Sequence, residues 1–253
     1  MATSDLVFLV GRERSGTTVF RRQLVLAGAI DMDETLHGDL SKPNRFYRMV
    51  ADRVAGDPAL ASPQRHTGLW TEFIDGKLAE APGRKLAIDL KYWALNLIPS
   101  PEDIASGTPH LIRFMGWRRA HAIHIVRRNK LRMLLSQQMS KETGVWGAAT
   151  AANVPTEKPK LQVEPGPMIK HIERLILMEQ KVRGMLSPLQ NAQEILYEDM
   201  FAPDGSFSDR FAEVACQAMD LTDMDRAPTN VRMNPEPVEA LVENYALLAD
   251  ALG

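Results

Sequence analysis

A glycine-bearing loop follows the first apolar run of the chain, and its residue types could bind a phosphate group. Residues 6–10 (LVFLV) continue into GRERSGTT at 11–18, after which a helical pattern begins. In a strand–loop–helix unit, backbone NH groups and the helix dipole converge on the loop, and hydroxyl groups add further donors. We therefore expect an anion site at this loop, with a serine-bearing turn that only caps the helix as the simpler alternative.

The spacing of the two loop glycines matches the P-loop of ATPases, but one essential residue differs. That motif requires a lysine after its second glycine to reach the outer phosphates. Here Thr17 follows Gly16, and the basic residue is Arg14, two positions before the glycine. The loop therefore favours an activated phosphate ester other than a nucleoside triphosphate.

A second basic segment covers residues 113–132, which contain seven arginines and lysines and no carboxylate. The apolar run 122–126 ends just before Arg127 and Arg128, and Asn129 can cap the helix that follows. Ser136 lies two helical turns beyond Arg128, so we expect their side chains to converge on one anion. A solvated basic helix face is the alternative, and we favour it for three of the seven: Arg118, Arg119 and Arg132.

Together these segments resemble the sulfotransferases that use 3′-phosphoadenosine 5′-phosphosulfate (PAPS). FLVGRERSGTT at 8–18 is similar to the 5′-phosphosulfate loop of the family, and IVRRNKLRMLLS at 125–136 is similar to its 3′-phosphate motif. LYEDM at 196–200 is a weaker match to a late strand whose tyrosine contacts adenine. The resemblance implies that PAPS is bound by Arg12, Arg14, Ser15, Gly16, Thr17, Thr18, Arg128, Ser136 and Tyr197.

Within that family, residues 127–146 most resemble small bacterial carbohydrate sulfotransferases of the nodulation-factor and trehalose type. Arg14 replaces the lysine of cytosolic animal enzymes, and Glu13 stands where proline is common. The resemblance implies sulfuryl transfer from PAPS to a hydroxyl of a carbohydrate or small metabolite, with 3′-phosphoadenosine 5′-phosphate (PAP) as product and no metal. The alternatives are a nucleotide or metabolite kinase with an atypical P-loop and a non-catalytic protein that binds phosphorylated adenosine.

The acceptor hydroxyl needs a general base, which we expect in a loop at the mouth of the site, residues 30–37 after the first helix. Glu34 is the first choice, because bacterial members that the chain resembles carry a proposed catalytic glutamate here. His37 is the second choice, because imidazole has a suitable intrinsic pKa. Arg14 would place positive charge near the leaving oxygen, and Lys91 is placed like a family lysine near the sulfuryl group. Solvent-exposed roles for Glu34, His37 and Lys91 are the alternatives.

The elements that position these residues form an alternating pattern. Strand-like runs at 6–10, 85–90, 122–126 and 194–197 are separated by helical patterns at 19–26, 130–139 and 168–186. This alternation predicts an α/β fold: a single domain over residues 1–253 with a P-loop-like central parallel β-sheet flanked by helices. Proline and glycine predict loops at 57–68 and at 143–167, the latter a lid or acceptor loop, and a C-terminal helix is predicted at 237–252.

Two further expectations concern the apolar face of the long helix and the role of the tryptophans. In the helix at 168–186, Ile176 shares the apolar face with Leu175, and Glu179 interrupts that face. Trp93, Trp117 and Trp146 could stack on a sugar, and Trp146 in the long loop is the best acceptor-side candidate.

The composition limits the classes of partner and compartment. With 30 basic and 32 acidic residues the net charge is −2, which argues against a nucleic-acid polymer as partner. The single cysteine, Cys216, cannot form an intramolecular disulfide, and the short run 6–10 is neither a signal peptide nor a membrane span. We therefore expect a cytoplasmic, soluble protein. His121 and His124 point to opposite faces of a strand, so a shared metal site is not expected. Oligomeric state is left open.

Overall fold

Five parallel strands form the centre of the computed structural model, which describes residues 4–147, 154–155, 157–228 and 233–252. The sheet has the order β2-β3-β1-β4-β5, so the chain starts in the middle and fills one side before the other. This confirms the predicted α/β class with a central parallel sheet. The strands are β1 (Leu6–Gly11), β2 (Ile30–Asp33), β3 (Leu86–Lys91), β4 (His121–Val126) and β5 (Ala192–Leu196).

Helices cover both faces of this sheet. α1 and α8 pack on one face, and α3, α5 and α7 pack on the other. The helices of the described ranges are α1 (Thr17–Leu26), α2 (Phe46–Val54), α3 (His66–Glu80), α4 (Pro101–Ser106), α5 (His110–Trp117), α6 (Lys130–Thr143), α7 (Pro165–Leu186), α8 (Asp209–Met219), α9 (Val238–Leu241) and α10 (Tyr245–Leu252). None of them is long and apolar enough to cross a lipid bilayer.

The three central strands are buried along their whole length, which explains their mainly apolar sequences. Successive side chains of β1 point to opposite faces. Phe8 joins the cluster that contains Trp70, Phe46 and Phe114, whereas Leu9 joins the cluster beneath α1 and α8. A parallel sheet covered on both faces places its loops at the strand ends, where polar groups can collect.

Two stretches expected to be loops contain regular structure. Residues 30–33, within the segment expected to carry the base, form the edge strand β2. The segment 57–68 contains two 3₁₀ turns, Pro58–Ala61 and Pro63–Arg65, and its last residues already belong to α3. Prolines occupy the first position of each turn, where a missing NH group costs nothing, so here they start helical turns instead of preventing them.

The predicted C-terminal helix at 237–252 is not continuous. Val242 is extended (φ −115°, ψ 127°) between α9 and α10, and the Leu161 NH donates to Leu241 O at 2.8 Å. Leu161 and Val242 also form an isolated parallel bridge. The second half of the predicted lid at 143–167 is therefore hydrogen-bonded to the C-terminal segment. Residues 148–153 and 156 of that lid lie outside the described residues.

Helix α7 buries a carboxylate where its apolar face was expected to be interrupted. Leu175 and Glu179 are both buried, and Lys130 at the start of α6 contacts the Glu179 carboxylate at 2.6 Å. Burial raises the pKa of Glu179, and Lys130 opposes that shift. Ile176, predicted on the inner face, is 41% exposed, so that prediction is wrong. The ion pair fastens α7 to the start of α6 beside the end of β4.

We expect Trp70→Ala to lower the free energy of unfolding by about 3–5 kcal/mol, because Trp70 is fully buried among three phenylalanine rings. Urea unfolding of the purified protein measures this change. Trp117→Ala is the matched control, since Trp117 is 66% exposed, and it should cost less than about 1 kcal/mol. Equal losses in both variants would contradict the assignment of the core.

Candidate functional site

A cavity of about 630 Å³ opens between the carboxyl ends of β1 and β4. The chain leaves β1 towards one edge of the sheet and leaves β4 towards the other edge. Loops that diverge in this way leave a crevice, which is the usual ligand position in open α/β sheets. The volume lies in the range of small-molecule and cofactor sites.

The loop after β1 forms one wall of this cavity. Gly16 precedes α1 in the left-handed region (φ 106°), and no described side chain caps the helix. The first NH groups of α1 are therefore free for an anion. Ser15 is 1% exposed, and its hydroxyl has no hydrogen-bond partner in the described chain. Thr17 and Thr18 also line the cavity. An unsatisfied helix start with hydroxyl groups beside it fits a phosphate group.

Arg14 connects this loop to the second basic segment. Its Nε donates to Ser136 Oγ at 3.0 Å across 122 residues of sequence, and its guanidinium also donates to the carbonyl of Trp146. Arg127 in turn donates to the Arg14 carbonyl at 3.0 Å. Burial and the neighbouring Arg127 lower the pKa of Arg14. Two partly desolvated guanidinium groups this close together favour the approach of an anion.

Gly16 also makes room for an aromatic ring. A Cβ atom at this position would lie 2.6 Å from the ring of Tyr197, which follows β5. The guanidinium of Arg127 lies 4.5 Å above the centroid of the same ring. Tyr197 is therefore held between Arg127 and the loop of residues 11–18, which we call the phosphate-type loop. One surface of the cavity is thus aromatic. Phe201 and Pro228 extend that apolar surface.

The second basic segment arranges its two arginines differently from the sequence-based expectation. Arg127 lines the cavity, whereas the side chain of Arg128 is 64% exposed and contacts Asp199 at 3.1 Å. Glu198 accepts hydrogen bonds from the NH groups of Arg128 and Asn129. A carboxylate thus already lies at the start of α6, which Asn129 caps as predicted. Ser136 faces the cavity, and the role predicted for Arg128 stays a prediction.

Arg132 was expected on a solvated helix face, and that interpretation is wrong. It lines the cavity, and its guanidinium donates to the carbonyls of Asn234 and Glu236 at 2.7 and 2.5 Å. Asn234 also donates to Ser136 Oγ at 3.4 Å. The C-terminal segment therefore closes the cavity over α6. Sequence analysis missed this because the contact spans 102 residues, although Arg132 and Ser136 already stood one helical turn apart.

Lys91 lies in a buried cluster beside the loop. Its Nζ donates to Thr17 Oγ1 at 2.6 Å and contacts both carboxylate oxygens of Asp89 at 2.9 Å. Glu34 Oε1 approaches the same ammonium group at 3.4 Å. Lys91 is 3% exposed, so the alternative of a solvated lysine is wrong. The cluster joins Glu34, the first choice for the base, to a residue of the phosphate-type loop.

The turn after Glu34 carries His37 to the surface. The His37 NH donates to the Glu34 carbonyl at 2.8 Å, and its ring lies 6.4 Å from the ring of Trp93. The Trp93 indole NH donates to Glu13 at 2.7 Å, and Glu13 also pairs with Arg12. Neither Glu13 nor Arg12 lines the large cavity. These side chains form a second surface, outside the lining of that cavity, at the turn that follows Glu34.

The other tryptophans divide between the two surfaces and the exterior. Trp146, the preferred acceptor-side residue, lines the large cavity, whereas Trp93 lies beside His37. Trp117 is exposed on α5. The structure thus places Trp93 and Trp146 on different surfaces, and the acceptor-side role of Trp146 stays a prediction.

The two histidines of β4 are buried away from the cavity. His124 contacts the Tyr92 hydroxyl at 2.7 Å and Glu194 at 2.9 Å, and burial lowers its pKa to about 4 despite the nearby carboxylate. Burial also lowers the pKa of His121. In the described ranges no group of three or more histidine, cysteine or carboxylate side chains could hold a metal ion.

Comparison with known proteins adds no family to this geometry: no protein-family model matches the chain, and no curated protein matches it significantly.

We expect Gly16→Ala to destabilise the protein more than Gly28→Ala. Both glycines have φ near 105°, so alanine is strained at either position by about 1–2 kcal/mol. Only at Gly16 would the new methyl group also meet the Tyr197 ring, because the space around Gly28 is open. Thermal and urea unfolding measure the difference. Equal losses in the two variants would contradict the close packing of Tyr197 on the loop.

Proposed function

We propose that this protein is a sulfotransferase that moves a sulfuryl group from PAPS to a hydroxyl of a carbohydrate or small metabolite. The observation that carries the proposal is the Arg14–Ser136 hydrogen bond, because it joins the two segments that resemble the phosphate motifs of the family. The single cysteine fits a protein of the cytoplasm. The polar and aromatic residues around the cavity are those that a phosphorylated adenosine requires.

The residues present fit such a donor. The free start of α1, with Ser15, Thr17 and Thr18, suits the 5′-phosphosulfate end. Ser136 and the basic groups around it suit the 3′-phosphate, and the apolar wall of Tyr197 suits a nucleobase. Bound PAPS would supply a sulfuryl group activated by its phosphate leaving group. Side chains of the protein would remove the proton of the acceptor and stabilise the developing charges.

Sulfuryl transfer by in-line displacement forms a bond between the acceptor oxygen and sulfur and breaks the bond from sulfur to the phosphate oxygen. In this proposal Glu34 accepts the proton of the acceptor hydroxyl. Lys91 lies between Glu34 and Thr17, so it can stabilise negative charge on the transferred group. Arg14 stabilises the phosphate as PAP is formed. The charges thus lie on both sides of the reacting centre.

The acceptor would enter from the surface that carries His37 and Trp93. Trp93 is 39% exposed, and its indole NH is fixed by Glu13. An aromatic ring with acidic and imidazole groups beside it suits a sugar, because the ring covers CH groups while the polar groups bind hydroxyls. This arrangement favours Trp93 over Trp146 as the residue that contacts the acceptor.

The kinase alternative is weaker on the same geometry. A kinase needs a carboxylate near the phosphates to hold magnesium, and Asp89 of β3 is linked to Thr17 through Lys91. Both oxygens of Asp89 contact the Lys91 ammonium group instead. The non-catalytic alternative is decided by measuring transfer directly.

We expect PAP to raise the melting temperature more than ADP or ATP does, because a ligand that binds the native state stabilises it by an amount that increases with its affinity. Arg128→Ala and Ser136→Ala should reduce the preference for PAP over AMP, which lacks the 3′-phosphate. Arg118→Ala is the control, since Arg118 pairs with Asp75 far from the cavity. Equal shifts with all nucleotides would remove the donor assignment.

We expect Glu34→Gln to keep PAP binding and to lower transfer on the order of 100- to 10,000-fold, the usual contribution of a general base. His37→Gln is the matched comparison: it should keep kcat near the wild-type value and change at most the acceptor KM, because the exposed His37 lies on the acceptor surface and its backbone NH donates to the Glu34 carbonyl. Radiolabelled transfer to a panel of sugars and small hydroxylated metabolites measures both variants. Full activity in Glu34→Gln with loss in His37→Gln would reverse the assignment.

A further inference from the structure

The carboxylate of Asp33, at the end of β2, is surrounded by basic side chains. Arg21 of α1 pairs with one carboxylate oxygen, and Arg45 and Lys42 contact the other at 2.9 Å. The side chains of Arg21 and Arg45 are only 8% and 5% exposed. Burial opposes ionisation of Asp33, but the hydrogen bonds from Arg21 and Lys42 and the charge of Arg45 hold its pKa well below the usual range.

Asp33 also has an uncommon backbone conformation. Its φ of 51° lies in the left-handed region, and the register of β2 against β3 shifts between Asp31 and Asp33. A non-glycine residue keeps such a conformation only when its surroundings impose it. The bend directs the chain out of the sheet edge immediately before Glu34. The next side chain therefore leaves the line of the strand and reaches Lys91.

Arg45 holds the following residue as well. Its guanidinium donates to the Glu34 carbonyl in addition to contacting Asp33. These contacts form a continuous series. Thr17 contacts Lys91, and Lys91 contacts Glu34. Arg45 then connects the Glu34 carbonyl to Asp33, which pairs with Arg21. Arg21 stands on α1 one turn beyond Thr17. The start and the second turn of the same helix thus determine where the Glu34 carboxylate lies.

We propose that Asp33 and Arg45 are positioning residues that fix the Glu34 carboxylate against Lys91 for proton removal from the acceptor. The expected effect on catalysis rests on the proposed function. The placement of the Glu34 carboxylate by Asp33 and Arg45 does not depend on that function. Burial of two guanidinium groups around one carboxylate is costly unless each charge is paired. Here both arginines pair with a carboxylate that lies outside the lining of the 630 Å³ cavity, which a positioning role explains.

Two substitutions test the proposal, and each has a matched control. Asp33→Asn removes the charge while asparagine tolerates the left-handed conformation. Arg45→Lys keeps a charge but loses the planar fork that reaches both Asp33 and the Glu34 carbonyl. The controls are Asp39→Asn, in the same loop, and Arg48→Lys, on the exposed side of α2, which pairs with Asp52.

We expect kcat to fall on the order of 100-fold in Asp33→Asn and about tenfold in Arg45→Lys, because a displacement near 1 Å costs this much. The PAP dissociation constant and the acceptor KM should stay within about threefold of wild type, and both controls should match wild type. Unchanged kcat in a folded Arg45→Lys variant would overturn the proposal, and this variant serves if Asp33→Asn does not fold.

A double substitution separates positioning from general structural damage. If Asp33 acts through Glu34, adding Asp33→Asn to Glu34→Gln should not lower the residual rate further. Rate losses that multiply would mean that Asp33 acts elsewhere and would overturn the proposal.

Crystal structures of the variants test the positioning of Glu34 independently of the proposed function. If wild-type protein neither binds PAP nor transfers a sulfuryl group, the proposed function fails. The positioning inference then stands if the contact of 3.4 Å between Glu34 and Lys91 persists in wild type and Asp39→Asn and is lost in Arg45→Lys and Asp33→Asn. It fails if the contact persists in all four proteins.

Discussion

The hydrogen bond from Arg14 to Ser136 is the contact on which the candidate site depends. It joins the loop after β1 to a helix that begins more than a hundred residues later. The bond is possible because β1 and β4 are neighbours in the sheet, with Gly11 opposite Ile125. Arg14 adopts φ 67° to make it, and Arg127 holds its carbonyl. Without the adjacency of those two strands, neither basic segment would form a cavity.

Several charged groups near the site are paired with groups of opposite charge. Lys91 lies among the oxygens of Thr17, Asp89 and Glu34, and the start of α6 is occupied by Glu198. The start of α1 has no such partner in the described chain. A net charge of −2 is therefore compatible with a strongly positive cavity wall, because the unmatched potential is confined to one strand end. Small anions, rather than a polymer, suit such a distribution.

Particular residues show which features of the structure could be predicted from the sequence and which could not. The strand–loop–helix order and the Asn129 cap were predictable, because both depend on residues adjacent in sequence. Arg132 was misjudged, because its surroundings come from Asn234, which is distant in sequence. The break in the C-terminal helix was equally hidden, since it depends on pairing of Val242 with Leu161.

The sequence by itself determined the parallel α/β architecture and the position of the glycine-bearing loop after β1. Apolar runs, glycines and hydroxyl residues act through local geometry, which spacing expresses directly. Only the tertiary structure decided that Arg127, rather than Arg128, lines the cavity and that Asp33 and Arg45 hold Glu34 at Lys91. The physical reason is that side-chain direction at a strand end depends on which neighbouring element supplies the opposite charge, and the strand order alone sets that neighbour.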